Sequence, residues 1–412
     1  MSEAVSDRAV SVPVSGAALG AGNDGAIIIG GDYRALGMAR SLGRRRVPVW
    51  VLWEREEWIA TASRYVRRSL AIGRRGEPLH EELLRIARER GVAGWTLFPT
   101  SDRAVAAVAR NHDELGRTFR MTTPPWEALR WAHDKRLTHQ LAKEAGLATP
   151  ETFFPASRAE LEAHECEFPV ILKPAVKEDF NRFTAAKAWR VGDRRSLLAR
   201  YDEASMLVPP ETIMVQELIP GDGGCQLSFA ALCAEGQPVA SVVARRIRQF
   251  PSDFGRASTF VETIDDPGVV EASRRVLGAL GATGLVEVEF KRDPRSDVLK
   301  LLDINPRVWG WHTLGAKAGV DFPYLLWRLV HGDSVQTVQG VPGVKWKRLS
   351  WDLVTAASDI LRGDFAVRDY LASFRGPRVA AIFAPDDPIP GLMEAPLLAF
   401  VLCARLARGN GV

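Results

Sequence analysis

The sequence predicts an α/β domain followed by an α+β domain, and two observations support this. The apolar runs Ala26–Ile29 and Val47–Leu52 are separated by a double glycine and a helical pattern that extends to Leu42. Continuous apolar strands connected by helices are typical of a parallel, Rossmann-like sheet. From Phe168 onward the pattern becomes a series of short apolar strands separated by glycine or proline turns. This second pattern is typical of an antiparallel α+β domain.

A second helix–strand unit completes the first domain, which we place at residues 26–122. Helix Glu81–Arg90 precedes strand Trp95–Phe98 and helix Asp102–Asn111. The double glycine at 30–31 has two interpretations, a dinucleotide phosphate site or a tight turn. It is not part of a GxGxxG motif, and no acidic residue cleanly ends the second strand, so a tight turn is favoured.

The composition is that of an ordinary globular protein. The chain has 412 residues, of which 46% are hydrophobic and 25% charged, and its formal net charge is +4. These values exclude a wholly disordered or collagen-like chain, and the small net charge predicts no nucleic-acid partner. Arginine outnumbers lysine by 44 to 10, so each lysine in a motif is easier to interpret.

The cysteine pattern and the N-terminus indicate a cytoplasmic protein. Residues 1–25 lack a basic start and a long apolar run, so we expect a flexible tail and not a signal peptide. The cysteines form no CxxC pair and no zinc-binding spacing, which predicts reduced, buried thiols. They are Cys166, Cys225, Cys233 and Cys403.

The C-terminal region, residues 336–412, is predicted to be a helical extension. Its longest apolar run, Ala395–Ala404, is about half as long as a helix that spans a membrane. The segment Pro396–Arg408 alternates apolar residues with late arginines, which fits either a packed helix or an interfacial helix in peripheral contact with a membrane. The packed helix is the favoured interpretation.

The strongest local pattern is a predicted β-hairpin over residues 286–307. Two alternating runs flank a polar stretch, and a turn centred near residue 296 would place Glu289 opposite Asp303 and Glu287 opposite Asn305. These four side chains then share one face, where facing carboxylates repel each other. A divalent cation would relieve the repulsion, and oxygen ligands favour Mg²⁺ or Mn²⁺. The alternative is a solvated strand face with ordinary surface charge.

Arginines in two parts of the sequence could bind phosphate. Arg307 lies two residues beyond Asn305, where a cation could hold a transferred phosphate; the alternative is a surface arginine. The segment 244–256 contains four arginines, of which we choose Arg245 and Arg248 as ligands of an anionic substrate and the transferred phosphoryl group. A solvated basic loop is the alternative for this segment.

Together these motifs resemble the ATP-grasp superfamily. A strand ending in Lys-Pro, Phe168–Pro174, is followed by the hinge-like Met214–Gly221 and by the acidic hairpin that ends in Asn305-Pro-Arg307. The resemblance covers roughly residues 26–335. It implies an ATP-grasp fold in which a Rossmann-like pre-ATP-grasp domain at 26–122 precedes an ATP-grasp domain at 123–335, with a lid subdomain at about 150–215.

The resemblance also implies the cofactors ATP and Mg²⁺ (or Mn²⁺) and a role for each matching residue. Glu289, Asp303 and Asn305 match the metal ligands, and Arg307 matches the arginine that contacts the γ-phosphate or acyl phosphate. The nucleotide-binding residues that it implies are Lys135 and Lys173 for the phosphates, Gln216, Glu217, Leu218 and Ile219 for adenine, and Gln226 for the ribose.

Two features depart from the family pattern. Residue 303 is Asp where Glu is commoner, so a bound metal would lie closer to the strand. The glycine-rich phosphate lid is missing, because the segment 176–187 contains no glycine. Side chains such as Lys177, Arg182 or Lys187 could replace its backbone amides; an exposed β-connection is the alternative.

The function implied by the resemblance is that of an ADP-forming ligase, which activates a carboxylate as an acyl phosphate and joins it to an amine. The expected partners are small-molecule carboxylate and amine substrates, and the oligomeric state is unknown. Carboxyphosphate-forming chemistry, a non-catalytic ATP-binding protein and a membrane-interaction module are the alternatives. Trp309, Trp311 and His312 could line a substrate pocket, although packing is the favoured interpretation.

Overall fold

The computed structural model describes residues 9–10, 24–54, 58–176, 181, 183–184, 188–221, 223–250, 257–363, 365–394 and 396. Among these residues, none of the helices has the length and apolar character needed to cross a membrane. The segment considered for membrane contact, 396–408, lies outside the described residues except for Pro396. Lys177, Arg182 and Lys187 also lie outside them.

The first domain is a five-stranded parallel sheet, as the alternation of apolar strands and helices predicted. Its strand order is β4-β3-β2-β5-β6. A short strand before it, β1, pairs with Val335–Gln336 and lies within the predicted tail. The elements are β1 Ala9–Val10, β2 Ala26–Ile29, α1 Tyr33–Gly43, β3 Val49–Trp53, β4 Val66–Ala71, α2 Leu79–Arg90, β5 Thr96–Pro99, α3 Asp102–Arg110, α4 His112–Gly116 and β6 Arg120–Met121.

The double glycine forms a tight turn at the carboxyl end of β2. Gly30 has a φ of +129°, and a Cβ there would collide with Oγ1 of Thr100, so the position requires glycine. Asp32 then caps α1, because its carboxylate accepts hydrogen bonds from the amides of Arg34 and Ala35. The turn therefore brings the start of α1 next to the end of β5.

The predicted lid is an antiparallel sheet that follows two linking helices. Its strand order is β7-β10-β8-β9, and all three strand pairs are antiparallel. The elements are α5 Trp126–His133, α6 Lys135–Glu144, β7 Thr152–Phe153, α7 Arg158–Ala163, β8 Val170–Pro174, β9 Trp189–Val191, α8 Arg194–Ser205 and β10 Ile213–Glu217.

The second domain is built on a large sheet with the order β15-β14-β11-β12-β13-β18-β19, and β17 pairs with β12. Its elements are β11 Gln226–Ala234, β12 Gln237–Phe250, β13 Ala257–Thr263, α9 Pro267–Leu280, β14 Gly284–Arg292, β15 Leu299–Asn305, α10 Thr313–Lys317, α11 Phe322–Val330, β16 Val335–Gln336, β17 Val338–Gln339, β18 Lys345–Lys347, α12 Leu349–Arg362, α13 Val367–Ala372 and β19 Arg378–Ala380.

The extension predicted to be helical at 336–412 contains strands as well as helices in its described part. Three strands of this region, β17, β18 and β19, join the large sheet. Two of them have three residues and one has two, which is too short to give an alternating pattern in the sequence. One apolar core then joins the region to the first domain, since Leu36 of α1 and Trp346 of β18 belong to the same cluster.

Candidate functional site

The acidic hairpin has the register that the sequence predicted. In the β14–β15 pair, Glu287 lies opposite Asn305 and Glu289 lies opposite Asp303. A bulge follows Glu289, so the register shifts only on the turn side of these pairs. The alternation of strand side chains therefore places the two glutamates on the same face as Asp303 and Asn305.

The neighbouring strand β11 adds a polar side chain to this face. Ser228 pairs with Glu289 in the β11–β14 ladder, and Gln226 lies two residues earlier on the same face. Nε2 of Gln226 donates a hydrogen bond to Oε2 of Glu289 over 3.0 Å. The structure thus places Gln226, which was expected near the ribose, within the carboxylate cluster.

The two glutamates share one amide. Nδ2 of Asn305 donates to Oε2 of Glu287 over 3.3 Å and to Oε1 of Glu289 over 3.1 Å. Nε1 of the buried Trp311 donates to the other oxygen of Glu287 over 3.0 Å. Burial, followed by the charge of Glu289, raises the pKa of Glu287 to about 7. Burial and the neighbouring carboxylate therefore both disfavour the charged form of Glu287.

Two cations lie beside the carboxylates of the cluster. The ammonium of the buried Lys135, at the start of α6, forms an ion pair with Oδ1 of Asp303. Arg246 on β12 donates from Nη1 to Oε1 of Gln226 over 3.0 Å, and its Nη2 lies 3.7 Å from Oε2 of Glu289. Both cations thus approach the acidic face from different elements of the fold.

Lys173 lies near the same group of charges. It is the penultimate residue of β8 and pairs with Met214 of β10. The pKa of His139 falls to about 4, first because of burial and then because of the positive charges of Lys173 and Lys135. The two lysines that the sequence assigned to phosphate binding are therefore both close to one imidazole.

The structure does not bring Arg245 to the cluster. Because side chains alternate along β12, Arg245 faces away from Arg246, and its Nη2 lies 3.5 Å from Oε2 of Glu262. Its side chain is 44% exposed, compared with 9% for Arg246. The sequence pattern did not establish which face of the strand each of the two arginines occupies.

Arg248, the other arginine chosen in this segment, is held elsewhere. Its Nε and Nη2 donate to the two carboxylate oxygens of the fully buried Asp352 over 2.9 and 2.8 Å. The guanidinium also lies 4.7 Å from the ring centroid of Phe260. Arg248 therefore ties β12 to helix α12 and does not reach the acidic face.

Arg307 is oriented by a residue of the first domain. Its Nε donates to Oδ1 of Asp102 over 2.5 Å, and its Nη2 donates to Oδ2 over 3.1 Å. The same Nη2 lies 3.4 Å from Oδ1 of Asn305. Burial alone would lower the pKa of Arg307, but the charge and hydrogen bonds of Asp102 raise it. The guanidinium is thus fixed beside the predicted metal ligands.

The polar hinge side chains make structural contacts. Gln216 is buried and donates from Nε2 to Oγ1 of Thr152 over 2.8 Å. Glu217 accepts from Nζ of Lys300 over 2.8 Å and also pairs with Arg295 in the hairpin turn. These contacts fix the end of β10 against the lid and the hairpin.

The next two hinge residues differ in exposure. Leu218 is half-buried and Ile219 is buried. The carbonyl oxygen of Ile219 accepts a hydrogen bond from Nζ of Lys291 over 2.9 Å, as does that of Gly221. Apolar side chains and backbone therefore remain as the means by which this segment could contact an adenine.

The donors of the acidic face fit a hard divalent cation. Within the described part of the chain, no group of three or more His, Cys, Asp or Glu side chains is arranged to hold a metal ion. In the structure Asp303 pairs with Lys135, while Asn305 bridges the two glutamates. The available ligands are nevertheless carboxylate and amide oxygens, which hard divalent cations prefer. Asp303 already pairs with one cation, the ammonium group of Lys135.

Tryptophans 309 and 311 and His312 are buried, which supports the packing interpretation. Trp311 has the additional role of holding Glu287, as its indole donates to that carboxylate. Asp102 and Arg246 are the other site residues that the sequence analysis missed. Asp102 directly follows Ser101, the residue that caps α3 after the end of β5. This place between a strand and a helix is the feature of the sequence that could have marked Asp102 as a site residue.

Residues 210–350 match the sequence model of a family described as ATP-grasp in the biosynthetic pathway with Ter operon. No curated protein matches the sequence. The matched residues include the hinge, the acidic hairpin and the strands β11 to β13.

Three solved structures illustrate the structural likeness. An L-amino acid ligase from Bacillus licheniformis has a TM-score of 0.59 and 15% identity, over 75% of this chain and 74% of that chain. A biotin carboxylase from Campylobacter jejuni has a TM-score of 0.59 and 16% identity, over 74% and 71%. An N5-carboxyaminoimidazole ribonucleotide synthetase from Thermus thermophilus has a TM-score of 0.57 and 19% identity, over 78% and 81%.

These similarities extend over most of the chain at low sequence identity. They therefore bear on the fold alone. The mixed α/β and α+β fold class predicted from the sequence is confirmed.

Proposed function

Because the chain has the ATP-grasp fold, we propose that it is an ATP-dependent, ADP-forming ligase that activates a carboxylate as an acyl phosphate and joins it to an amine. The acidic face of the hairpin is the observation that carries this proposal. Carboxylates lie there within one network with an amide and are surrounded by three basic side chains, those of Lys135, Arg246 and Arg307. A triphosphate and a divalent cation require this combination of charges.

Each basic residue has a role that its position suggests. Lys173 and Lys135 would contact the phosphates of ATP, since both lie close to His139 in the middle of α6. Arg307 would contact the transferred phosphoryl group, because Asp102 fixes its guanidinium next to Asn305. In a phosphoryl transfer the protein contributes mainly positioning and charge neutralisation, so no covalent nucleophile is needed.

The metal ligands would be Glu289, Asp303 and Asn305. A Mg²⁺ ion bound by them would neutralise negative charge on the terminal phosphates. The chain's own contribution is to hold these oxygens in place: Gln226 donates to Glu289, and the hairpin register fixes Asp303 opposite it. Trp311 orients the third carboxylate, Glu287, whose pKa is raised by burial and by the charge of Glu289.

The structural neighbours leave a second chemistry to consider. An L-amino acid ligase is among them, which supports carboxylate–amine ligation. A biotin carboxylase is also among them, so formation of carboxyphosphate from bicarbonate is the second candidate. A non-catalytic ATP-binding role would not require the paired carboxylates to be kept, so it is the least favoured alternative.

The nucleotide product tests the proposal. The full chain would be incubated with ATP, Mg²⁺, a pool of carboxylic acids and a pool of amines, and the nucleotides separated by chromatography. We expect ADP and orthophosphate, and a hydroxamate when hydroxylamine replaces the amine. Stoichiometric AMP would contradict the mechanism. ADP release that depends on bicarbonate alone would favour the second candidate.

A further inference from the structure

Arg348 is a largely buried cation without the hydrogen bonds that a guanidinium needs. It lies between β18 and α12, and its side chain is only 23% exposed. Its Nε is buried and makes no hydrogen bond with any residue that the structure describes. The nearest described carboxylate oxygen, Oε1 of Glu394, lies 3.9 Å from Nε, which is beyond hydrogen-bond distance.

Three other arginines with little exposure each make several hydrogen bonds. Arg40 donates to Asp387 and to two carbonyl groups, Arg248 makes a two-bond pair with Asp352, and Arg307 makes one with Asp102. A buried charged donor left without a partner is costly, and native structures rarely keep one without reason. Arg348 therefore lacks the close protein partners that hold these other arginines.

The position of Arg348 connects it with the proposed active site. Its guanidinium lies over the ring of Tyr33, 4.4 Å from the centroid, at the start of α1. The hydroxyl of Tyr33 approaches Gly310 so closely that a Cβ there would collide with it. Gly310 follows Arg307 by three residues. The Arg348 side chain thus borders the segment that carries the arginine proposed to contact the transferred phosphoryl group.

The chemical groups around Arg348 suggest what it would bind. A planar guanidinium held against an aromatic ring matches the geometry of a carboxylate. The carboxyl group of Glu394 lies next to it, is largely buried, and accepts a hydrogen bond from Ser350. Burial raises the pKa of Glu394. The ring centroid of Trp351 lies 5.6 Å from the guanidinium.

The adjacent guanidinium of Arg348 and carboxyl group of Glu394 are complementary to a zwitterion, which carries one group of each charge. Resting on the proposed function, we propose that Arg348 binds the carboxylate of an α-amino acid substrate and that Glu394 accepts a hydrogen bond from its ammonium group. The carboxylate held by Arg348 is distinct from the one that is phosphorylated beside Arg307. The amino acid is therefore the amine-bearing acceptor, and the C-terminal region selects it.

The test compares Arg348→Met with a matched control, Arg45→Met. Arg45 also lies over a tyrosine, with its guanidinium 4.0 Å from the centroid of Tyr324, but it is satisfied by an ion pair with Asp321 at 2.6 Å. Both full-length variants would be assayed for ADP release with free L-amino acids and with their carboxamides, in the presence of a carboxylic acid pool. Calorimetric titration with ATP and Mg²⁺ is run in parallel.

We expect Arg348→Met to raise the KM for the amino acid about tenfold or more, as loss of a charge-assisted hydrogen bond predicts. ATP affinity should stay within twofold of the wild-type value, Arg348→Lys should recover part of the loss, and Arg45→Met should have the wild-type KM. The wild-type protein should not use the carboxamides.

Three results would overturn the inference. The first is an unchanged KM for the amino acid in Arg348→Met. The second is equal use of carboxamides and free amino acids by the wild-type protein. The third is that the wild-type protein releases ADP only with amines that are not amino acids. In each case ATP binding and ADP formation persist. Failure of the proposed function is distinguishable, because the wild-type protein would then bind no ATP or release no ADP with any acid.

Discussion

Arg307 and Asp102 are joined by two hydrogen bonds although they are 205 positions apart in the sequence. The first residue follows the acidic hairpin, and the second begins helix α3 of the first domain. The pair therefore connects the parallel sheet with the proposed catalytic face. A two-bond pair also fixes the plane of the guanidinium, which a single contact would not do.

The first prediction concerns this pair. Asp102→Asn keeps the size of the side chain but removes its charge, so Arg307 should lose its orientation next to Asn305. We expect kcat to fall about ten- to hundredfold, the equivalent of a hydrogen bond to a charged group. Steady-state kinetics measures this effect. The matched control is Asp113→Asn, because Asp113 is 96% exposed, and equal rates for the two variants would contradict the role of Asp102.

The second prediction uses two neighbouring arginines of β12 as each other's control. Arg246→Met removes the cation beside Glu289 and Gln226, whereas Arg245→Met changes an exposed side chain on the opposite face. We expect Arg246→Met to lower kcat/KM for ATP at least about tenfold, as expected for a charge-assisted contact, and Arg245→Met to have little effect. The reverse order would restore the assignment of Arg245 made from the sequence.

The hairpin could be predicted from the sequence because its information is local. Side chains alternate with a period of two, and one turn fixes the pairing, so Glu289 had to face Asp303. The choice between Arg245 and Arg246 depends instead on the phase of β12 relative to its neighbours, and this strand contains bulges near Arg248. No local sequence pattern shows which of the two arginines points to the face that carries the acidic residues.

Contacts between distant segments were beyond prediction for a different physical reason. Asp102 lies in the first turn of a helix, where an acidic side chain is favoured in any protein. Its residue type therefore needs no functional explanation. Its second role exists only because the first domain packs against the hairpin. Trp311 is similar, since a buried tryptophan is normally explained by its apolar area, and its indole bond to Glu287 is visible only in three dimensions.

The third prediction concerns metal dependence. Glu289→Gln and Asp303→Asn, like their alanine equivalents, should abolish Mg²⁺-dependent turnover and leave the protein folded, because each removes a proposed ligand and not a core side chain. Activity titrated with Mg²⁺ and circular dichroism give the two readouts. Asp297→Asn in the exposed hairpin turn is the matched control. Undiminished turnover in both ligand variants would reject the site.

The fourth prediction concerns nucleotide binding. Lys173→Met should weaken ATP binding or turnover about tenfold to a thousandfold, as expected for loss of a charge-assisted phosphate contact. Titration calorimetry with ATP and Mg²⁺ measures the affinity directly. The control is Lys143→Met, since Lys143 is an exposed lysine in the last turn of α6. Wild-type affinity together with normal turnover in Lys173→Met would exclude this lysine from the phosphate site.

The last prediction concerns the dependence of stability on pH through His312. The imidazole is 1% exposed, its Nδ1 lies 3.1 Å from the carbonyl oxygen of Trp309, and its Nε2 has no partner among the described residues. A Cβ on Gly37 would collide with the ring, so the histidine packs directly against α1. Burial, as the largest cause, lowers the pKa of His312 to about 4.

Because the folded-state pKa lies below the usual value of about 6.5, protons bind preferentially to the unfolded chain between these two values. The contribution of His312 to stability is therefore complete above pH 6.5 and is lost as the pH falls towards 4. Between pH 7 and pH 5 we expect the wild-type protein to lose about 2 kcal/mol through this residue. His312→Gln keeps a donor for the Trp309 carbonyl but does not titrate, so its denaturant midpoint should change less over the same range. Identical pH dependence of the two midpoints would show that His312 titrates normally in the folded protein.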